Sequence, residues 1–187
     1  MLVGIIFKLH KISIIHQIPI INSLDENGRK AYFAYGMNTN KEEMQSRCPN
    51  AIFIDTLELS GLRLVFRTVA DVNITFNRKD SVKGVVWSIT SECEQNLDYL
   101  EGYPDLYKKN YSFFYKKRKI MLYVMTAKSK KRKPLNIPND NYKRCLLKGY
   151  QTYGLPTVQL LSALGEANLT RDERIFLERE GEIMSQL

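Results

Sequence analysis

The chain has 187 residues, 44% hydrophobic and 26% charged: enough for one core with residues left over, in the proportions of a soluble globular protein. Its three cysteines, Cys48, Cys93 and Cys145, are far apart and odd in number, which argues against a disulfide framework and against zinc. Its two histidines both lie near the N-terminus, which argues against a Ser/His/Asp or Cys/His nucleophile system, and any acid–base group is expected to be a carboxylate. The net charge of +8 is gathered partly in two clusters, 116–119 and 128–133. The second cluster ends at Pro134 and reads as an exposed loop, a solvated hairpin tip ahead of a nucleic-acid contact.

Residues 1–22 are rich in Ile, and the apolar run 2–7 is too short for a signal segment or a membrane span. With no targeting segment and no membrane partner expected, the cytoplasm is the default location. Residues 23–30 form a polar linker, so the chain divides into an extension, 1–30, and a domain, 31–187. The aromatic run from Tyr32 stops at Gly36, and Asn38, Thr39 and Asn40 are all good helix N-caps. This predicts a buried strand, a tight turn and a helix that ends near Pro49. The free amides of such a helix start would suit a carboxylate or phosphate.

Strands are predicted over 51–59, 62–69, 72–76 and 82–89, with a bulge or bend at Gly84. A helix follows to about Leu100, with Thr90 or Ser91 as cap, a capping box from Ser91 to Glu94, and Cys93, Leu97 and Leu100 on one face. Gly102 suits its left-handed end and Pro104 prevents continuation, which leaves Glu101 at the helix C-terminus. Residues 111–115 and 120–126 look like a hairpin pair. A helix is expected over 139–153, broken at Gly154 and Pro156, and a last amphipathic segment starts at a second capping box, Thr170 with Glu173. Trp87 is expected in the core or a pocket wall, Asp98 as a solvated or locally bonded helix residue, and the three cysteines as buried thiols.

Three blocks in order resemble the γ-glutamylcyclotransferase, or AIG2-like, family over about residues 31–165. They are Tyr32 to Asn38; Gly84-Val85-Val86-Trp87 followed by Leu97 to Tyr107; and Tyr142 to Gly149 with Gly154-Leu155-Pro156. Met37 departs from the family's usual Ser, and Thr39 from its usual Leu or Met. The resemblance implies an α+β fold, a small mixed β-barrel with helices around it. It also implies an enzyme that closes a γ-glutamyl amino acid or amine to 5-oxoproline and releases the amine, with no cofactor and no metal.

By that match Glu101 falls on the catalytic carboxylate, and Tyr35, Gly36, Met37 and Asn38 on the substrate loop. Tyr107, Tyr123 and Tyr142 fall on pocket tyrosines. The chemistry is consistent: one carboxylate can take a proton from the substrate's α-ammonium and return one to the leaving amine. The helix dipole and aromatic neighbours such as Tyr103 and Tyr107 are expected to raise the pKa of Glu101. γ-Glutamyl amino acids, γ-glutamyl-ε-lysine, glutathione and γ-glutamyl amines are all open as substrates. Family members are often dimers, but no surface here is assigned to a second copy. The competing expectation is a non-catalytic binding module of the same fold, with the basic loop 128–133 touching nucleic acid or another anionic partner.

Overall fold

A computed structural model describes residues 25, 27–75 and 77–168 of the chain. The extension 1–30 lies mostly outside the described residues, and the capping box at Thr170 and Glu173 lies wholly outside them. Strand β1 (Lys30–Ala34) ends in a short 3₁₀ turn (Met37–Thr39) that leads into helix α1 (Lys41–Arg47). Strands β2 (Ile52–Ser60), β3 (Leu62–Phe66), β4 (Ala70–Ile74) and β5 (Ser81–Ile89) follow, then helix α2 (Ser91–Leu100). The hairpin β6 (Tyr107–Tyr115) and β7 (Arg118–Met125) precedes helices α3 (Ala127–Arg132), α4 (Asp140–Thr152) and α5 (Val158–Asn168).

The class is α+β, as expected. Five strands form one mixed sheet in the order β2-β5-β1-β7-β6, and β3 and β4 form a second, antiparallel pair. β1 runs antiparallel to β5 and parallel to β7. Tyr32, Phe33 and Ala34 are successive residues of β1, and all are buried, so both faces of the strand are covered. β3 packs against β5 and β4 against β7, and both sheets contribute to one hydrophobic core. Among the described residues the ladder does not close into a complete barrel. No described helix is long and apolar enough to cross a membrane.

Three local expectations need correction. The ladder runs through Gly84, opposite Leu57, without a break, and the irregularity lies between Phe53 and Asp55 instead. Gly84 is small for a different reason: a Cβ there would sit 2.3 Å from the Ala34 carbonyl oxygen and 2.7 Å from the Phe33 ring. Second, the Ser91–Glu94 box does not cap α2. Thr90 is the cap, its hydroxyl accepting the Cys93 N–H at 3.2 Å, and Glu94 instead pairs with Lys30 and Lys109. Thr90→Ala is expected to cost about 1 kcal/mol in urea unfolding, and Ser91→Ala only a few tenths.

Third, residues 128–133 are not a hairpin tip. The tip is Lys116–Lys117, both at positive φ, where the chain turns from β6 to β7. Thr126 caps α3 by accepting the Ser129 N–H, and unbranched lysines propagate a helix well, which is why the basic run coils. Lys130 on α3 reaches the buried Asp71, at 3.1 Å, and the Val72 carbonyl, at 2.8 Å. The cluster is therefore partly structural rather than a uniform basic strip. Cys48 and Cys93 are buried, but Cys145 is only half-buried. On α2, Cys93 and Leu97 are buried and Leu100 is exposed.

Candidate active site

Of the three N-cap candidates, Asn40 takes the role. Its side-chain oxygen accepts the Glu42 N–H at 2.9 Å, and its amide donates to the Cys145 carbonyl of α4 at 2.9 Å. That frees the Asn38 side chain to point elsewhere. Asn38 Nδ2 donates to the Tyr32 hydroxyl at 2.8 Å and reaches Glu101 Oε1 at 3.4 Å, while its Oδ1 accepts from Arg47 Nη1 at 2.6 Å. Trp87, a core residue of β5, donates its indole N–H to the Asn38 carbonyl at 2.9 Å and so pins the turn from below. Met37 accepts Arg47 Nη2 on its sulfur, at 3.1 Å.

The turn also holds a mismatch. Thr39 is fully buried, and its hydroxyl has no hydrogen-bond partner among the described residues. An unsatisfied buried hydroxyl costs roughly 1–3 kcal/mol, so Thr39→Val, of nearly the same shape, is expected to raise the midpoint of thermal unfolding.

At the far side of the site α2 ends on Glu101, whose N–H donates to the Leu97 carbonyl at 2.8 Å. Gly102, at φ +59°, turns the chain away. The half-buried Glu101 borders a cavity of about 350 Å³, together with Tyr35, Gly36, Met37, Asn38, Tyr107, Tyr123 and Tyr142. All eight residues singled out from sequence thus meet at one cavity. Tyr32, Arg47 and Lys133 line it too and were not foreseen. Tyr32 reads in sequence as one more buried strand aromatic, and Arg47 as a helix-end cation. Only the chain path around the cavity brings them in.

Burial pushes the Glu101 carboxyl up to about 7, against the nearby Arg47 charge and the Asn38 hydrogen bond, which both pull it down. Of the two aromatic neighbours expected to desolvate it, Tyr107 lines the cavity and Tyr103 does not; the Tyr103 ring lies under the Lys109 ammonium, 4.6 Å from the centroid. Burial also raises Tyr32, Tyr35, Tyr107 and Tyr123, and lifts Tyr142 to about 12, so all five phenols are neutral.

Each of these hydroxyls makes one hydrogen bond within the protein. Tyr35 donates to the Tyr123 carbonyl at 2.7 Å and Tyr107 to the Ala70 carbonyl at 3.0 Å. Tyr142 accepts the Ala70 N–H at 2.9 Å. Asp98, expected to be solvated or bonded within its helix, instead accepts the Tyr123 hydroxyl at 2.6 Å and pairs with Lys109 at 2.7 Å. Among the described residues no group of three His, Cys, Asp or Glu side chains is placed to hold a metal ion. What the cavity offers is one carboxyl poised near neutral pH, a hydroxyl array of both polarities, and two cations at the wall.

The gamma-glutamyl cyclotransferase, AIG2-like family matches the chain over residues 32–144. No curated protein matches it in sequence. Among solved structures, one described as a gamma-glutamyl cyclotransferase aligns with a TM-score of 0.53 at 22% identity, covering 80% of this chain and 98% of its own. An uncharacterized protein from Homo sapiens aligns with a TM-score of 0.53 at 22% identity, covering 79% of this chain and 97% of its own. At that identity both are likenesses of fold.

Proposed function

The chain belongs to the gamma-glutamyl cyclotransferase, AIG2-like family, and from that premise we propose that it closes a γ-glutamyl amino acid or amine to 5-oxoproline, with Glu101 as general acid and base. The observation that carries this reading is the Glu101 carboxyl, bonded to Asn38 at the edge of the cavity with its pKa raised to about 7. A base in that range is matched to work near neutral pH. The substrate supplies both nucleophile and electrophile, so the protein's task is to fold one molecule onto itself.

Glu101 takes a proton from the α-ammonium, and the freed amine attacks the γ-carbonyl carbon. A C–N bond forms and the carbonyl oxygen becomes an oxyanion. The intermediate collapses by breaking the bond to the departing nitrogen, which receives its proton from Glu101. Over the cycle the α-nitrogen gives up two protons and the departing amine takes up two, so Glu101 ends as it began. The turn at 36–38 and the neutral tyrosines line the cavity, and donors aimed at the oxyanion would lower the barrier.

The test is 5-oxoproline release from a panel of γ-glutamyl amino acids and γ-glutamyl amines. Release from none of them, by folded protein, ends this reading. The pKa gives a further expectation. Because the charged form of Glu101 is the base, kcat/KM is expected to fall about tenfold per pH unit below a limb near pH 7. Arg47 lowers that pKa, so Arg47→Gln is expected to move the limb to higher pH. A pH profile of kcat/KM for both proteins checks it; a limb that stays in place or moves down contradicts the assignment.

A further inference from the structure

The five hydroxyls of the cavity are not equivalent, because a hydroxyl has one proton to give. The Tyr32 oxygen accepts Asn38 Nδ2 and the Tyr142 oxygen accepts the Ala70 N–H. Neither donates its proton to a described residue, so both are left as donors for a ligand. Tyr123 is the reverse case. Its proton is spent on Asp98 Oδ1 at 2.6 Å, which leaves lone pairs for whatever occupies the cavity it lines.

Asp98 is held in that task from behind. Lys109 Nζ binds Asp98 Oδ2 at 2.7 Å and Glu94 Oε1 at 2.6 Å, and Glu94 also pairs with Lys30. An ammonium can only donate, so Lys109 fixes the carboxylate as the acceptor on both sides. Asp98 and Glu101 are three residues apart at the end of α2, on one face of the helix. Tyr123 and Glu101 both line the cavity, so a hydroxyl with free lone pairs and the base border the same space.

We infer that Asp98 is a positioning residue: it holds the Tyr123 hydroxyl as a proton acceptor facing the cavity, and this oxygen binds the α-ammonium of the substrate beside Glu101. The inference rests on the proposed reaction for the identity of that ammonium. It also divides the cavity, with the positive end of the substrate at Tyr123 and its carboxylate or carbonyl oxygens at Tyr32 and Tyr142.

Asp98→Asn tests it with almost no change of shape. Lys109 will hold the Asn oxygen, which turns the Asn NH₂ toward Tyr123. The Tyr123 oxygen must then accept, and its proton swings toward the substrate ammonium. The probes are L-glutamine, a γ-amide with the α-ammonium, and glutaramate, the same γ-amide without it, titrated into each protein and followed by NMR. Asp98→Asn is expected to weaken glutamine binding by about 10-fold or more. Glutaramate binding is expected to stay unchanged.

Tyr123→Phe, which keeps the ring, is expected to weaken glutamine selectively as well. Adding Asp98→Asn to it is expected to bring no further loss, since Asp98 acts only through that hydroxyl. Equal weakening of both probes, no effect on either, losses that multiply, or failure of wild type to bind glutamine in preference to glutaramate would each overturn the inference. Release of 5-oxoproline without this discrimination sinks the ammonium assignment and leaves the reaction standing. Discrimination without release sinks the reaction and leaves the ammonium site.

Discussion

Glu101→Gln is expected to fold normally and to lose 5-oxoproline release by about 10²–10⁴-fold. The amide matches the carboxyl in size and can still accept from Asn38, but it cannot take a proton from the α-ammonium. The same substitution carries a stability signature with a definite sign. The folded-state pKa, about 7, lies above the carboxylate value of 4.5. The folded chain therefore binds the proton more tightly, and ionising Glu101 works against folding. That cost is absent below about pH 4.5 and complete above about pH 7. Glu101→Gln is thus expected to be as stable as wild type at pH 4 and more stable at pH 8, by up to about 3 kcal/mol. Urea unfolding at the two pH values, alongside the activity assay, checks both halves. Full activity in the variant would remove Glu101 from the mechanism; equal stability at pH 8 would mean that the carboxyl is not desolvated.

Gly149→Ala is expected to damage stability and activity together. α4 crosses the 3₁₀ turn here, and a Cβ at Gly149 would lie 2.6 Å from the Asn40 nitrogen and 2.7 Å from the Thr39 carbonyl carbon and hydroxyl oxygen. Two effects compete. Helix propensity favours Ala over Gly by about 1 kcal/mol. Overpacking costs about 1–3 kcal/mol, and more when the neighbour cannot yield. The contacts are mostly backbone atoms of a buried turn tied to Trp87, so overpacking wins and the turn must shift. Since that turn presents Met37 and Asn38 to the cavity, KM is expected to rise with the loss of stability. Gly165→Ala is the control: α5 leaves open space there, and the substitution is expected to stabilise by up to about 1 kcal/mol. If Gly149→Ala behaved like Gly165→Ala in thermal unfolding and in KM, the close crossing would not constrain the site.

Much of the fold was legible because its signals are local. Apolar runs, cap residues and glycine ends need only a few neighbours to act, and they marked most strands and helices, though β3 ends three residues earlier and β6 starts four residues earlier than expected, and α3 was not foreseen. The family resemblance carried the cavity residues as well, since Tyr35, Gly36, Met37, Asn38, Glu101, Tyr107, Tyr123 and Tyr142 all border it. Illegible were choices between equivalent local options. Asn38, Thr39 and Asn40 can all cap a helix, and Thr90 and Ser91 likewise. The partner that decides comes from elsewhere: the Cys145 carbonyl draws in Asn40, and Lys30 and Lys109 draw Glu94 away from a capping box. The basic run at 128–133 misled for a similar reason. Charge suggests exposure, whereas Lys130 is claimed by Asp71, an acidic residue 59 positions earlier that lies fully buried on β4.

The sequence by itself determined the elements, the α+β class, the family and a short list of residues around one carboxylate. Each follows from patterns a few residues long, where covalent geometry and side-chain propensity act directly. The tertiary structure alone decided how those residues are charged and which way their protons point. The Glu101 pKa depends on burial, with Arg47 and Asn38 pulling against it, and Arg47 enters the cavity wall because α1 packs against the turn. The Tyr123 hydroxyl gives its proton to Asp98, 25 residues away, which Lys109 holds from behind. Such properties arise from desolvation and from hydrogen bonds between distant segments, which exist only once the chain has closed around the cavity.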